Sequence, residues 1–240
     1  MPLIEFININ MIIKKKRIID DLNLEIYGGE IFGLIGRSGC GKTTLFKIFL
    51  GMLSPTTGKI NIEGKNIFHN KNILKKYVGF ASQENMLFEE LSIVENIKYF
   101  GKLYGVNKKE LKSRATDLLE LFELYPSRHV LLKNLSGGMK KRANILISLI
   151  HDPKILVLDE PTIGLDALLR DKIWVYINRI NALGKTIIVT SHLLQELEEN
   201  CHVIGIMDKG FIPRVIDNSN KKTFQKKSLR QYMEQELKDG

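Results

Sequence analysis

A glycine-rich stretch at residues 36–43 constrains the fold of this chain more than any other feature. It reads Gly-Arg-Ser-Gly-Cys-Gly-Lys-Thr, follows the apolar run 31–35 and leads into the helical pattern of residues 44–50. A strand that turns into a helix through such a loop is the context of a phosphate-binding loop. Glycines bring main-chain N–H groups close to an anion, and the helix N-terminus adds a favourable dipole. The stretch therefore predicts an α/β fold that binds a phosphorylated ligand.

The polar residues of this loop have expected roles. Lys42 would reach the β- and γ-phosphates of a nucleotide, and the Thr43 hydroxyl would bind Mg²⁺, which takes oxygen ligands and keeps several waters. A glycine-rich surface turn is the alternative, and the strand before it and the helix after it argue against that. The residues expected to contact the nucleotide are Gly36, Arg37, Ser38, Gly39, Cys40, Gly41, Lys42, Thr43 and Thr44.

A second apolar run, residues 155–158, ends in Asp159-Glu160-Pro161. Continuous apolar runs are typical of parallel strands covered on both faces, and ligands of open α/β sheets bind at the carboxyl ends of the strands. Asp159 is expected to hold Mg²⁺ through its water shell, and Glu160 to polarise the water that attacks the γ-phosphate. Alone, such a pair is also a common helix-start signal. With a phosphate loop upstream, it predicts nucleotide hydrolysis.

The rest of the chain predicts an antiparallel part, a helical part and a return to the α/β core. Residues 3–26 form two alternating segments joined by the basic cluster 14–17, which we interpret as a solvated hairpin tip. Residues 85–150 have helical periodicity, with a capping box at Ser92 and Glu95 and an amphipathic helix at 108–124. Strands and helices alternate again over residues 155–207. We expect one domain at 1–217, with a helical subdomain inserted at about 85–150, and a polar, lysine-rich tail at 218–240.

A second possible phosphate cradle lies at Leu135-Ser136-Gly137-Gly138-Met139. The helical run 140–150 follows it, so that Ser136 is placed as an N-cap with two glycine amides behind it. One nucleotide does not need two cradles from one subunit. A capped helix without a ligand is therefore the alternative for this stretch taken by itself.

Taken together, these motifs resemble the nucleotide-binding subunit of an ATP-binding cassette (ABC) transporter. The resemblance covers about residues 3–215, and the motifs follow the family's order along the chain. Position by position, Gly36 to Thr44 match the Walker A loop and Gln83 matches the Q-loop glutamine. Leu135 to Met139 match the ABC signature, and Ile155 to Glu160 match Walker B with its catalytic glutamate. Gly164-Leu165-Asp166 match the D-loop, and His192 matches the switch histidine.

The resemblance implies a P-loop NTPase (RecA-like) core, the cofactors ATP and Mg²⁺, and ATP hydrolysis. It also implies a head-to-tail dimer in which the signature of one subunit contacts the γ-phosphate bound by the other. Gln83 is expected to contact Mg²⁺ or the attacking water, and His192 the γ-phosphate. Asp166 is expected to act across the dimer.

Three positions depart from the family pattern. Ile13 stands where family members usually place an aromatic ring under the adenine, so stacking on the base is either weak or supplied by another residue. Met139 replaces the commoner glutamine of the signature, which leaves its serine and glycine contacts intact. Ala167 follows Asp166 where proline is frequent, and we expect that change to be neutral.

The implied partners are a second, identical ATPase subunit and a separately encoded membrane permease. Residues 95–105 and 139–142 resemble the exporter subgroup that handles drugs, antibiotics or polysaccharides. Residues 86–88 with Leu91 either form a groove for a permease helix or pack inside the helical subdomain. No apolar run approaches the roughly 18 residues that cross a bilayer. We therefore expect a cytoplasmic protein, peripheral on the cytoplasmic face of the membrane.

The net charge of +9 leaves two interpretations open, a lysine-rich solvated surface or a polyanionic partner. A soluble ABC ATPase acting on nucleic acid or ribosomes would usually fuse two cassettes or insert a long coiled coil, whereas this chain has one cassette and no heptad array. We expect no direct nucleic-acid partner. A P-loop protein that binds ATP without turnover is the third option. Glu160 argues against it, because an inactive site would be expected to lose the catalytic carboxylate. The two cysteines, Cys40 and Cys201, show neither metal-ligand spacing nor the pattern of a disulfide framework. Their scarcity suits a reducing compartment.

Overall fold

The computed structural model describes residues 1–84, 86–220, 223–225 and 227–236. They form two compact units, one from Met1–Leu74 with the described part of Thr186–Gly240, and one from Lys75–Lys185. In chain order the elements are β1 (Ile4–Ile13), β2 (Lys16–Ile26), β3 (Ile31–Gly36), α1 (Lys42–Phe49), β4 (Thr57–Ile62), β5 (Lys65–Asn66), α2 (Lys71–Tyr77), β6 (Val78–Ala81), α3 (Ile93–Tyr104), α4 (Lys108–Leu121), α5 (Gly137–Ser148), β7 (Ile155–Asp159), α6 (Ala167–Ala182), β8 (Thr186–Thr190), α7 (Leu194–Asn200), β9 (Val203–Asp208), β10 (Phe211–Asp217) and α8 (Leu229–Glu236).

The first unit contains an antiparallel sheet in the order β2-β1-β4-β5. β1 and β2 pair through the turn at Lys14 and Lys15, whose φ values of 47° and 67° are those of a hairpin turn with two left-handed residues. Both lysines are exposed. The predicted N-terminal antiparallel part and its solvated hairpin tip are confirmed.

The same unit contains the strands that carry the phosphate loop. β3 pairs in parallel with β8 on one side and β9 on the other, and β10 pairs antiparallel with β9. All residues of β3 are buried, as expected of a parallel strand covered on both faces. The register places Leu34 opposite Thr190 and Gly36 opposite Met207, so the three parallel strands end at one edge.

The second unit combines the parallel pair β6–β7 with helices α3 to α6. α3 begins at the predicted capping box, where the Glu95 N–H donates to Ser92 Oγ and the Ser92 N–H donates to the Glu95 carboxylate. α4 ends at Leu121, before the predicted end at 124. Glu123 adopts a φ of 54° and the Leu124 N–H donates to Leu119 O, which closes the helix in a Schellman-type turn.

Two elements are not predicted by the sequence pattern. α2 spans only seven residues, so its few apolar positions show no helical period, and it ends at Tyr77, directly before β6. β10 contains Pro213, which argues against a strand because proline cannot donate to a sheet ladder. It is tolerated here because β10 pairs only with β9 among the described strands and has an irregular register between Phe211 and Arg214.

The chain after β10 packs onto the first unit. Asn218 is buried and donates from Nδ2 to the main-chain oxygens of Glu198 and Cys201, and Leu229 of α8 is also buried. α8 lies within the tail predicted as polar and lysine-rich. Residues 221, 222, 226 and 237–240 of that tail, and residue 85 at the predicted start of the helical subdomain, lie outside the described residues. The proposed boundaries at 85, 150 and 217 stay predictions.

The α/β class with an N-terminal antiparallel sheet agrees with the prediction. Among the described helices, none combines the length and the apolar character needed to cross a membrane.

Candidate functional site

The phosphate loop connects the buried end of β3 to the first turn of α1. Arg37, Ser38 and Gly39 are exposed, and the Cys40 side chain is buried at 7% exposure. The Gly210 N–H donates to Cys40 O at 2.9 Å, which ties the loop to the turn between β9 and β10. The outer half of the loop is thus open to a ligand, while its inner half is fixed by the protein.

Two glycines of this loop are required by close packing. A Cβ on Gly36 would lie 2.2 Å from Met207 O and 2.6 Å from Cys40 Sγ. Gly41 has a φ of 118° and directly precedes α1, and a Cβ there would meet the Met207 and Ile19 side chains. Larger residues at either position would push the loop away from β9.

Lys42 is held over the loop by the loop's own carbonyls. Its Nζ donates to Gly36 O at 2.6 Å and to Arg37 O at 3.2 Å. Thr43, the next residue, is exposed, and Thr44 is half-buried in the first turn of α1. Because α1 begins at Lys42, the first N–H groups of the helix, the ammonium group and the Thr43 hydroxyl lie together at one helix N-terminus.

His192 lies at the same sheet edge as the phosphate loop. Thr190 pairs with Leu34, so His192 and Gly36 each stand two residues beyond that pair on neighbouring parallel strands. The His192 side chain is exposed. Before it, Ser191 is buried, and its Oγ accepts from the Leu193 N–H at 3.0 Å. The first unit therefore brings together the predicted loop residues and the predicted switch histidine.

In the second unit, β6 and β7 bring Gln83 and the acidic pair to one edge. Ala81 pairs with Leu158, so Gln83 and Glu160 each lie two residues beyond this pair. Gln83 is exposed, Asp159 is half-buried and Glu160 is 9% exposed. These three predicted residues share one edge of the second unit.

Glu160 has an unusual backbone conformation. Its φ of 49° lies in the left-handed region, where residues other than glycine are uncommon. Such conformations cost on the order of 1–3 kcal/mol and persist where the surrounding structure enforces them, often at functional sites. The turn at Glu160 directs the chain from β7 toward α6 and holds its side chain in a buried position.

The predicted signature and D-loop residues lie together at the starts of α5 and α6. Ser136 caps α5 by accepting from the Met139 N–H, and Asp166 caps α6 by accepting from the Leu169 N–H at 2.9 Å. A Cβ on Gly138 would lie 3.0 Å from the Leu169 side chain. Ser136 and Gly137 are exposed. The glycine at 138 therefore permits close packing of α5 against α6, and the one at 137 faces solvent.

Lys141 is a neighbour of the acidic pair that the motifs do not reveal. Its Nζ donates to Gln83 O at 2.6 Å. Burial lowers the pKa of Lys141, whereas the carboxylates of Glu160 and Asp159 raise it. The one sequence signal is the basic run 140–142 after the signature, which by itself resembles any solvated helix face.

The position predicted to lack an adenine-stacking ring lies at the end of β1. Ile13 is exposed and precedes the basic hairpin turn at Lys14 and Lys15.

Cys201, the second cysteine, is fully buried, and a Cβ on Gly33 would lie 2.8 Å from its Sγ.

Comparison with known proteins gives consistent matches. A family model described as "ABC transporter" matches residues 19–163. Nod factor export ATP-binding protein I of Cupriavidus pinatubonensis is 35% identical over 193 residues, which are 80% of this chain and 59% of that protein. Linearmycin resistance ATP-binding protein LnrL of Bacillus subtilis is 36% identical over 203 residues, 85% of this chain and 65% of that protein. The chain thus spans less than two thirds of the length of these relatives.

Solved structures with the same fold cover nearly the whole chain. The structure of an ATP-binding subunit of an ABC transporter superposes with a TM-score of 0.85 at 25% identity, covering 97% of this chain and 98% of the other. That of cbiO1 from Clostridium perfringens, part of the ABC transporter complex cbiONQ, has a TM-score of 0.84 at 26% identity, covering 100% and 99%. A dimeric ATP-binding cassette in a post-hydrolysis state with ADP and Pi has a TM-score of 0.79 at 25% identity, covering 89% and 98%.

Proposed function

Because the chain belongs to the ABC transporter family, we propose that it is an ATP-hydrolysing subunit that powers export through a membrane permease. The export direction is supported by the relatives, which are named for Nod factor export and for linearmycin resistance. The chain spans 59% and 65% of these two relatives. The proposal therefore concerns the ATP-binding part that the chain shares with them.

The phosphate loop is the observation that carries this proposal. Its exposed residues 37–39, the fixed Lys42 ammonium and the N-terminus of α1 form a cationic cradle at the end of β3. Such an arrangement favours the triphosphate of ATP. His192, on the neighbouring strand, would contact the γ-phosphate from the same edge.

The residue types proposed as ligands fit Mg²⁺. Thr43, Gln83 and Asp159 carry hydroxyl, amide and carboxylate oxygens, Thr43 and Gln83 being exposed and Asp159 half-buried at the end of β7. Mg²⁺ prefers such ligands and retains waters. When bound, the ion would neutralise charge on the phosphates. Glu160 would accept a proton from the attacking water, and its buried position would orient the carboxylate for this step.

We further propose that two copies of the chain dimerise on Mg-ATP, each signature contacting the nucleotide of the other copy. The exposed N-terminus of α5 at Ser136 and Gly137 supports this, because its N–H groups can bind a second anionic ligand. Asp166 would act across this interface. The other partner is a membrane permease, which implies a cytoplasmic, membrane-peripheral location. The proposal includes no nucleic-acid partner.

The test measures ATP binding and phosphate release by the purified protein with and without Mg²⁺. Lys42→Ala should lose nucleotide affinity, because the ammonium group contacts the phosphates directly. Glu160→Gln should bind ATP normally while hydrolysis falls by roughly 10²–10⁴, the range for losing a positioned base. Wild-type hydrolysis rates in both variants would contradict the proposal, since the measured activity would then come from elsewhere.

A further inference from the structure

Helix α5 holds the segment that follows β6 through two main-chain carbonyls. Lys141 Nζ donates to Gln83 O at 2.6 Å, and Asn144 Nδ2 donates to Ser82 O at 3.0 Å. Residues three apart on a helix lie on the same face, so both donors can reach the same segment. Their acceptors are the main-chain oxygens of two consecutive residues. We refer to Lys141 and Asn144 with these two acceptors as the carbonyl clamp.

The clamp acts at the point where sheet pairing no longer holds the chain. The last paired residue of β6 is Ala81, and both clamped carbonyls lie beyond it. Asn144 is buried, and its amide has a fixed position in α5. Lys141 binds the main-chain oxygen of Gln83, whose side chain is exposed, and the Ser82 hydroxyl donates to the next carbonyl, Glu84 O.

The charge of Lys141 is also influenced by the acidic pair. The carboxylates of Glu160 and Asp159 raise the pKa of Lys141 and so oppose the effect of burial. The residue that binds Gln83 O therefore also carries a charge that these carboxylates stabilise. Asn144 is neutral and cannot make the same charge interaction with these carboxylates.

We propose that Lys141 is a positioning residue for ATP hydrolysis, which fixes Gln83 relative to Asp159 and Glu160. This inference rests on the proposed function of the chain. Lys141 does not contact the reacting atoms in this proposal. It acts through the main chain of Gln83 and through the carboxylates beside it, and it requires both a long side chain and a positive charge.

Misplacement by about 1 Å can lower a rate by roughly 10²-fold, so the loss of this tie should affect turnover more than binding. Lys141→Met retains most of the apolar stem and removes the ammonium group. We expect kcat for Mg-ATP to fall by roughly 10- to 100-fold, with the nucleotide Kd unchanged within about twofold. Lys141→Arg keeps a long side chain with a cationic N–H donor, so kcat should recover to within about threefold of wild type.

A matched control is available one residue away. Lys140 donates to the Glu89 carboxylate at 2.8 Å, so Lys140→Met removes the same charge and an ion pair from the same helix. It leaves both clamped carbonyls in place. We expect its kcat to stay within about twofold of wild type, since exposed ion pairs contribute little.

A second measurement is independent of catalysis. Amide hydrogen exchange in the nucleotide-free protein should become faster in peptides that include residues 82–84 for Lys141→Met, and should be unchanged there for Lys140→Met. If Lys141→Met does not fold, Lys141→Gln, whose amide is too short to replace the ammonium group, provides the same comparison.

The outcomes separate this proposal from the proposed function. Absence of Mg-ATP hydrolysis by the wild type would contradict the function, and the exchange measurement would still test the clamp. Equal kcat in wild type and Lys141→Met, or equal losses in the Lys140 and Lys141 variants, would overturn the positioning role. Failure of Lys141→Arg to recover activity would overturn it as well.

Discussion

At the scale of single residues, His151 shows how burial sets the charge of a side chain. Its ring stacks on Tyr104 at 3.8 Å, and the Val78 carbonyl accepts a hydrogen bond from Nε2. Burial lowers the pKa of His151 from 6.5 to about 4. The Val78 bond and Asp152 oppose the shift, and Arg114 adds to it. The native protein therefore holds this imidazole neutral in the mildly acidic range.

This shift predicts a loss of stability in mild acid. The pKa of His151 is lower in the folded than in the unfolded chain, so below pH 6.5 the unfolded state binds the extra proton. The stabilisation is complete above pH 6.5 and is lost as the pH falls toward about 4. Between pH 7 and 5 the contribution is about 2 kcal/mol. Denaturant unfolding at the two pH values, followed by the fluorescence of the buried Trp174, measures it.

His151→Phe keeps a flat ring against Tyr104 and cannot titrate. Between pH 7 and 5, the unfolding free energy of this variant should change by about 2 kcal/mol less than that of the wild type. His69→Gln removes an exposed histidine and serves as the control for losing an imidazole elsewhere in the chain. An unchanged pH dependence in His151→Phe would show that other groups cause the acid sensitivity.

At the scale of secondary-structure elements, the start of α3 depends on its capping box. Ser92 is buried, accepts from the Glu95 N–H and donates to the Glu95 carboxylate. These bonds hold the pKa of Glu95 below its ordinary value. Ser92 accepts a hydrogen bond from an N–H group that has no acceptor within the helix. Its loss should therefore lower the free energy of unfolding of the protein.

Ser92→Ala should lower the free energy of unfolding by about 1 kcal/mol, the usual cost of losing an N-cap serine. Urea unfolding measures this change. Ser113→Ala, at an exposed position inside α4, should be neutral or slightly stabilising because alanine is the better helix former there. Equal effects of the two changes would mean that the cap does not support the fold.

The same elements show what the sequence could and could not predict. The start of α3 and the phosphate loop depend on residues close together in the chain, and both were predictable. The signature start at Ser136 was predictable for the same reason. β10 was not, because Pro213 is compatible with a strand only at a sheet edge, a property of the whole sheet. The clamp by Lys141 had no signature either, since its acceptors are main-chain carbonyls that every residue carries.

At the scale of the whole molecule, the proposed dimer makes Ser136 a residue that acts on another copy of the chain. Its exposed position at the start of α5 supports this assignment. Arginine there would place bulk and charge where the partner's γ-phosphate is expected. In the proposed dimer Ser136 contacts the nucleotide of the other copy, so nucleotide binding by an isolated subunit should not depend on it.

Ser136→Arg should lower ATP hydrolysis by roughly 10²-fold or more, the scale for losing a contact to the transferring group, while Kd for ATP changes by less than about twofold. Placed in the Glu160→Gln background, it should also prevent the ATP-dependent dimer that we expect to detect by size-exclusion chromatography. Ser113→Arg, an equal change on exposed α4, should leave both properties intact. Loss of nucleotide affinity in Ser136→Arg would mean that the signature acts on its own subunit.

The acceptors of the carbonyl clamp have a consequence for how this region can vary during evolution. Because the bonds from Lys141 and Asn144 end on main-chain oxygens, they do not require a particular side chain at 82 or 83. Drift at those two positions leaves the tether intact, and selection to keep it falls on α5 alone. The same separation makes Gln83→Ala an unusually clean substitution. It removes the glutamine amide while the backbone that carried it stays anchored, so any lost activity belongs to the amide itself.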